Sequence, residues 1–506
     1  MSQASKSLLL GVDVGTSSCK VALFDLEGTL IARSSEPYTT HYAGLCVEQD
    51  PEDWWKATKK AIKNLIEKHH IDPGKVAAIG VDGQSWAALP IDRKGRALRR
   101  AMIWLDRRSE KECRWLREEV GEKVIFEKSM NRVDPAFVIP KILWIKENEP
   151  EVFARTEKFL TSNAYINYKL TGELTQDISQ GYGFYSFDMR KGKWDKNLCE
   201  RMGIPLKMLP DIYPCSKVIG EVTSRAAEET GLVKGVPVVA GGLDAAAATL
   251  GAGVIEPGQV QEQGGQAGGM SICMDRPFGD PKLILGYHVV PERWLLQGGT
   301  VGGGSLRWLK GILSPSKGKE KLDPFEVMSL EAEKIKPGSD GLIFLPYMAG
   351  ERSPLWDSNA KGIFFGLSYD KTRAHLIRAI MEGCAFALYH NLQVAESQGI
   401  KVKTMTSVGG AARSKVWTQI KADVTNKPIL IPHYTDSAPL GAAILAGIGA
   451  GIYSDFKEAV ENVVKIEEHI EPRSKFHSLY CELFEIYQNI YLKLKEDFEH
   501  LARIKL

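Results

Sequence analysis

Leu8-Leu9-Leu10-Gly11-Val12-Asp13-Val14-Gly15-Thr16-Ser17-Ser18 and Val238-Val239-Ala240-Gly241-Gly242-Leu243-Asp244-Ala245-Ala246-Ala247 share one plan. Each is an apolar, strand-like run ending in a lone aspartate set among glycines and small residues. A carboxylate at a strand's carboxyl end, with little side-chain bulk around it, suits close approach of backbone to a phosphate. One such group can organise a metal ion while the other takes a proton. The pair therefore predicts phosphoryl transfer between two lobes.

Around the first aspartate, residues 7–13, 19–25 and 29–34 read as short β-rich runs separated by tight turns, an antiparallel opening. Residues 53–70 place Trp54, Ala57, Ala61, Ile62, Leu65 and Ile66 at helical spacing. A buried strand is expected over 76–81, and 109–169 is mostly helical in pattern with breaks at Pro135 and Pro140. Around the second aspartate, a small-residue helix over 245–250 runs into Ile255-Glu256-Pro257-Gly258, a turn suited to a hinge. Beyond it the opening logic repeats: a strand over 259–263, a glycine turn from Gly264 to Gly269, and a strand over 270–274. Long helices are expected over 372–396 and 478–504. The reading is a duplicated α/β architecture with a cleft, divided into domains 1–252 and 253–506.

In the first segment Gly15 permits a tight turn whose N–H groups and hydroxyls, from Thr16 and Ser17, can surround phosphate oxygens. Asp13 would face Mg²⁺, through water because that ion sheds its hydration reluctantly. Lys20 would neutralise phosphate charge. The plainer alternative is a β-hairpin with a polar turn. For Asp244 the plainer alternative is the N-cap of an Ala-rich helix. Gly241 and Gly242 argue against it, since a cap needs no glycines before it.

The whole chain is consistent with small-molecule chemistry. At 506 residues it exceeds one core. Lys+Arg 65 against Asp+Glu 63 leaves a net charge of +2 with the signs mixed, so a basic footprint for nucleic acid is lacking. The eight cysteines are scattered without a CxxC pair, which disfavours a zinc site or disulfide framework and fits reduced thiols in a cytoplasmic protein. The apolar run before Gly11 is too short for a signal peptide. The weakly polar stretches 235–255 and 439–453 are studded with glycine, and Asp244 near the middle of the first disfavours a membrane span.

With these residues in view, the chain resembles the FGGY family of carbohydrate kinases, from Leu8 to about Ile452. The most specific piece is Gly362-Ile363-Phe364-Phe365-Gly366-Leu367 followed by His375-Leu376-Ile377-Arg378-Ala379-Ile380-Met381-Glu382, which fits the family's carboxyl-half signature. Supporting pieces are Glu48-Gln49-Asp50-Pro51 with Trp54-Trp55, Trp104-Leu105-Asp106-Arg107-Arg108, Ala349-Gly350-Glu351-Arg352-Ser353-Pro354 and Gly409-Gly410-Ala411-Ala412-Arg413-Ser414. The amino-half signature is partly kept: Lys141-Ile142-Leu143-Trp144-Ile145 fits, whereas Ala136 and Val138 depart from it.

The resemblance implies two actin-like (ribonuclease-H-like) domains and transfer of the γ-phosphoryl of ATP to a sugar hydroxyl. It implies Asp244 as catalytic base; Asp13, Thr16, Ser17 and Lys20 as the first phosphate segment; and Gly265 and Gln266 as the second. Gly303 and Gly304 fall in another nucleotide loop, and Gly409 and Gly410 against the adenosine. Gln84, Ser85, Trp86, Trp104, Asp106, Arg107 and Asp244 fall where the family contacts its sugar. Family members often form homodimers; no patch in the sequence decides the state here. Xylulokinases typically carry Gln-Met-His at Gln84-Ser85-Trp86 and Asn at Ala245, and glycerol kinases carry Arg-Glu at Ser85-Trp86. Gln266 stands where a Thr is usual, replacing a hydroxyl beside the phosphate with a longer amide. Within the xylulokinase/gluconokinase branch, D-xylulose is the first expectation, then gluconate or another polyol or sugar acid.

Other readings are structural. At least one of Trp54 and Trp55 is expected in the core, Arg107 and Arg108 are open to structural ion pairing, Glu351-Arg352 to a turn under the cleft, and His375 and Glu382 to scaffold roles. Among rival classes, an actin-like nucleotide switch has no use for a sugar-deprotonating base, and a dinucleotide oxidoreductase would need a strand–GxGxxG–helix unit that is missing.

Overall fold

The computed structural model describes residues 7–265, 267–313 and 323–504. Among them two seven-stranded sheets carry the architecture. The first is built from β1 (Leu8–Val14), β2 (Ser18–Asp25), β3 (Leu30–Pro37), β4 (Val76–Gly83), β5 (Val218–Glu221), β6 (Pro237–Val239) and β7 (Gly242–Leu243). Its order is β5-β6-β4-β1-β2-β3, with β7 also paired to β4. β1 to β3 are antiparallel, as their short turns require, while β4 lies parallel to β1 after a crossover through α1 (Pro51–Lys68). β1 and β4 are buried along their whole length, which is why they read as continuous apolar runs.

The second sheet consists of β8 (Gln259–Gly264), β9 (Ala267–Met274), β10 (Ile284–Tyr287), β11 (Trp294–Val301), β12 (Thr404–Val408), β13 (Ile429–Pro432) and β14 (Ile466–Ile470), in the order β10-β11-β9-β8-β12-β13-β14. It repeats the first: an antiparallel pair, β8 and β9, whose leading strand is paired in parallel with a later one, β12. The helices expected near 372–396 and 478–504 are Arg373–Ser397 and His477–Arg503. No helix among the described residues is long and apolar enough to cross a membrane.

The two halves are joined by more than a linker. Call α2 the helix Asp244–Gly251 and α3 the helix Ser437–Gly449; α3, from the second half, packs on β1, β4 and α2 of the first. Contact is backbone to backbone. A Cβ on Gly80 would stand 2.0 Å from the Ala442 carbonyl oxygen, and one on Gly441 would stand 1.8 Å from that of Ala247. Only glycine admits such approach. One hydrophobic core consequently runs through both halves, taking Leu9, Phe24 and Leu243 from the first and Leu440, Ala443 and Leu445 from the second.

The structural expectations for the tryptophans and for the long helix are met. Trp54 and Trp55 are both buried, and their indole N–H groups donate to Gln49 and Glu229. His375 caps its helix with Thr372, and Glu382 accepts hydrogen bonds from Arg378, Tyr480, Ser339 and the Gly338 N–H.

Candidate active site

Three strands of the first sheet end side by side, each within one residue of an aspartate. In the parallel register Asp13 on β1 faces Asp82 on β4, and Asp82 faces Gly242 on β7, whose next-but-one residue is Asp244. The carboxyl ends of parallel strands are where α/β sheets expose ligand crevices. Asp82 was not among the sequence candidates. It is 0 % exposed, and no N–H or hydroxyl of the protein donates to either of its carboxylate oxygens; Oδ1 of Asp13 shares that condition, so these oxygens have only each other to bond.

Clustered, poorly solvated carboxylates resist ionisation. Burial, then the charges of Asp13 and Asp244, hold Asp82 well above the carboxylate range. Burial raises Asp13 as well, opposed by Lys20. Asp244 is pushed up to about 7 by burial and by Asp13, against the Ala245 N–H and the Lys20 charge. Its Oδ1 accepts that N–H at 2.7 Å.

Lys20 Nζ lies 3.3 Å from both Asp13 Oδ2 and Asp436 Oδ1, so one ammonium ties the floor of the first half to the residue before α3 of the second. Thr16 and Ser17 form the turn between β1 and β2. The Thr16 hydroxyl accepts from Trp104 Nε1 at 3.0 Å, and its carbonyl from Gln49 at 2.7 Å.

In the second half the glycine turns converge, and the Gly409 N–H donates at 3.0 Å to the carbonyl of Thr435, the residue before the Asp436 that Lys20 holds. The Gly303 N–H donates to the Gly265 carbonyl at 2.8 Å, and Gly409, at φ 83°, sits with its Cβ position 3.1 Å from the Gly264 carbonyl oxygen. Gly304 opens the helix Gly304–Leu313, and a Cβ on Gly410 would meet open space. Such a glycine-lined rim at a helix N-terminus accommodates phosphate and a flat base. Gln266 lies outside the described residues.

The expected sugar contacts divide. Ser85 and Trp104 are half-buried and Trp86 is buried, and the Trp104 indole N–H ties its ring to the Thr16 turn. Trp86 is in the left-handed region at φ 55°, stacks on Phe137 at 4.2 Å, and keeps a buried indole N–H without a protein partner. The buried Lys141 holds that turn by donating to the carbonyls of Trp86 (2.9 Å) and Ala136 (2.6 Å). Gln84 is wholly buried; its amide N–H donates to Gln49 and its Oε1 has no protein partner. Asp106 is a correction. Its carboxylate is fully buried and occupied by the N–H groups of Val47 and Arg108 and the Arg108 guanidinium, which leaves nothing for an acceptor. Arg107 is half exposed at the rim in a two-pronged pair with Asp134. Arg352 lies in the turn closed by the Glu351–Asp357 bridge, as expected, and reaches from the second half to place its guanidinium 5.5 Å from the Trp104 ring.

The Asp82 signal was legible: Gly11-Val12-Asp13 recurs as Gly80-Val81-Asp82. Arg352 carried no such signal, because only the tertiary fold brings it to Trp104.

A groove of about 630 Å³ lies elsewhere, lined by Trp55, Arg96, Arg99, Tyr168, Lys169 and Arg225. Of its six cations, Arg96, Arg99, Lys169 and Arg225 are paired with Asp92, Glu48, Glu52 and Glu229, while Lys94 and Arg100 also line it.

Comparison with known proteins identifies the family. Residues 8–251 match the model of the FGGY family of carbohydrate kinases, N-terminal domain, and residues 280–450 that of its C-terminal domain. A xylulose kinase of Staphylococcus epidermidis is 33% identical over 500 residues, covering 97% of this chain and 98% of its own. A gluconokinase of Bacillus licheniformis is 28% identical over 505 residues, with 98% of each covered. The crystal structure of xylulose kinase from Rhodospirillum rubrum superposes with a TM-score of 0.88 at 31% identity, over 97% of this chain and 100% of that one. The chain belongs to the FGGY family of carbohydrate kinases; it is a phosphotransferase with the two-domain actin-like fold.

Proposed function

We propose that this carbohydrate kinase moves the γ-phosphoryl of ATP to a hydroxyl of a small sugar held against Ser85, Trp86 and Trp104, with Asp244 as the base. The observation that carries the reading is Asp244 itself: a strand-end carboxyl pushed up to about 7, on the sheet that Lys20 ties to Asp436 beside the glycine turns of the other half. A general base works best when its pKa lies near the working pH. Above that value Asp244 is ionised and takes the hydroxyl proton as the oxygen attacks phosphorus. Thr16, Ser17 and Lys20 face the transferred group from the first half. Gly265, Gly303, Gly304, Gly409 and Gly410 hold the nucleotide from the second. Most of the catalysis is then positioning and charge neutralisation.

Among the described residues no three His, Cys, Asp or Glu side chains are arranged to hold a metal ion. Mg²⁺ asks for less, commonly one or two carboxylates with water and phosphate oxygens. Asp13 and Asp82, with three buried oxygens between them to which no N–H or hydroxyl of the protein donates, fit that donor set. Bound there, the ion supplies charge neutralisation to the phosphates.

For the acceptor, D-xylulose is the first proposal, since xylulose kinases stand above gluconokinases among the relatives; gluconate is the second. Coupled ADP release over ketopentoses, aldonates and polyols tests both. Asp244→Asn should lower kcat about 10²–10⁴-fold while ATP binding persists. Near-normal turnover in that variant overturns the assignment.

A further inference from the structure

We infer that Tyr182 is a specificity-determining residue of the acceptor pocket, closing its inner end and offering its hydroxyl to the sugar. The inference rests on the reading of Ser85, Trp86 and Asp244 as the acceptor site.

Tyr182 belongs to the 3₁₀ segment Ile178–Gly183, which sequence patterning did not connect with the site. Its ring is 2 % exposed and stands edge-on to Trp86 at 5.7 Å and to Phe137 at 6.3 Å, making a three-ring wall with their stack. The phenol oxygen stands near the Ser85 hydroxyl and the Trp86 indole, whose N–H is left without a partner, and it feels the charges of Asp244 and Arg352. One hydroxyl pair and one buried, unused indole N–H thus gather beside the base. Such a set suits a polyhydroxylated acceptor, whose C–H edges rest on rings while its hydroxyls meet Ser85, Trp86 and Tyr182.

The segment has little freedom to move. The Asp177 carboxylate accepts from Asn163, Gln176, Ser179 and the Gln180 N–H. Ser179 Oγ accepts the N–H of Leu243, the residue before Asp244, at 2.8 Å. Gln180 Nε2 donates to the carbonyls of Gly83 (3.3 Å) and Gln84 (3.2 Å), immediately before Ser85 and Trp86. One short segment therefore sets Tyr182, the base and the sugar turn in register. Gly183 completes the fit, since a Cβ there would stand 2.5 Å from Trp86 Cδ1. Beyond the ring lies Gly286 of β10, whose Cβ position is 3.5 Å from Tyr182 Cε1, so the far end of the pocket is backed by the second half.

The test is ADP release from ATP by the full chain over one panel: D-xylulose and other ketopentoses, ketohexoses, gluconate and polyols. Wild type, Y182F and Y182A are compared, with ATP KM and melting temperature measured on each. Removing one hydrogen bond, Y182F should raise KM for the preferred acceptor about tenfold and leave ATP KM within about twofold. Y182A should shift preference at least about fivefold toward longer acceptors, a gain that mere loosening of the fold does not produce. An active wild type whose acceptor ranking and KM survive both substitutions overturns the role of Tyr182 alone. A wild type inactive on every acceptor overturns the acceptor-site reading beneath it, and this inference with it.

Discussion

Asp82 and Glu382 are both buried carboxylates, at 0 % and 2 % exposed, yet the protein treats them in opposite ways. Glu382 receives an arginine, a tyrosine hydroxyl, a serine hydroxyl and a backbone N–H. Asp82 receives none of these and has two more aspartates for neighbours. Buried charge is costly unless paired and hydrogen-bonded. A fully satisfied acid is scaffold. A cluster left unsatisfied has its free energy held for something that arrives, here phosphate, cation and sugar. The same contrast separates Asp106, enclosed by Arg108, from Asp244, which keeps an oxygen free.

The largest effect that would break this contrast is at Asp244. Asp244→Asn should cost about 10²–10⁴ in kcat and yet raise the melting temperature at pH 8. The sign follows from linkage. The Asp244 value in the fold, about 7, lies above its ordinary 3.8, so the folded state holds the extra proton between them and loses stability as pH rises through that window. The gain from Asn should accordingly be full at pH 8 and vanish near pH 4; a destabilised variant at pH 8 would contradict the strain assigned to the floor.

Arg378→Met should do the reverse, leaving Glu382 buried without its partner. Expected is a loss of about 3–5 kcal/mol in denaturant unfolding, with acceptor KM unchanged in the protein that remains folded. If acceptor KM moves in step with stability, the division into scaffold and site fails.

Smaller is the pH profile: kcat/KM for the acceptor should fall as pH drops through about 7, the value to which Asp244 is pushed. A flat profile from pH 5 to 8 would remove Asp244 as the titrating base. Smallest is Asp82→Asn, expected to raise the melting temperature by about 1 °C at pH 8, in line with about 1 kcal/mol over a chain of this length. A drop would show Asp82 to be satisfied after all.

How much of this was legible in the sequence depended on whether a signal was local. Strand ends are local: Asp13 and Asp244 announced themselves by an apolar run, glycines and an acid. The duplicated strand–turn–strand opening was readable for the same reason. Asp82 carries the same mark, but its acid lies inside a strand buried from Val76 to Gly83, where the apolar pattern alone ends at Val81. Asp106 misled in the other direction: Trp104-Leu105-Asp106-Arg107-Arg108 lies beside the wall, but whether its acid faces inward or outward is decided by Val47 and Arg108, which only the fold brings together. Tyr182 and Arg352 sit on aperiodic segments, where position is set by distant partners and no spacing rule applies.

The docking of α3 onto β1 and β4 has a consequence for biosynthesis. A ribosome finishes the first sheet at Leu243, but the helix that covers one face of it is complete only at Gly449. At bacterial-to-eukaryotic elongation speeds, roughly ten to forty seconds pass between the two. Throughout that interval the nascent sheet must keep an apolar surface from other chains, a vulnerability that neither half escapes until synthesis is nearly over.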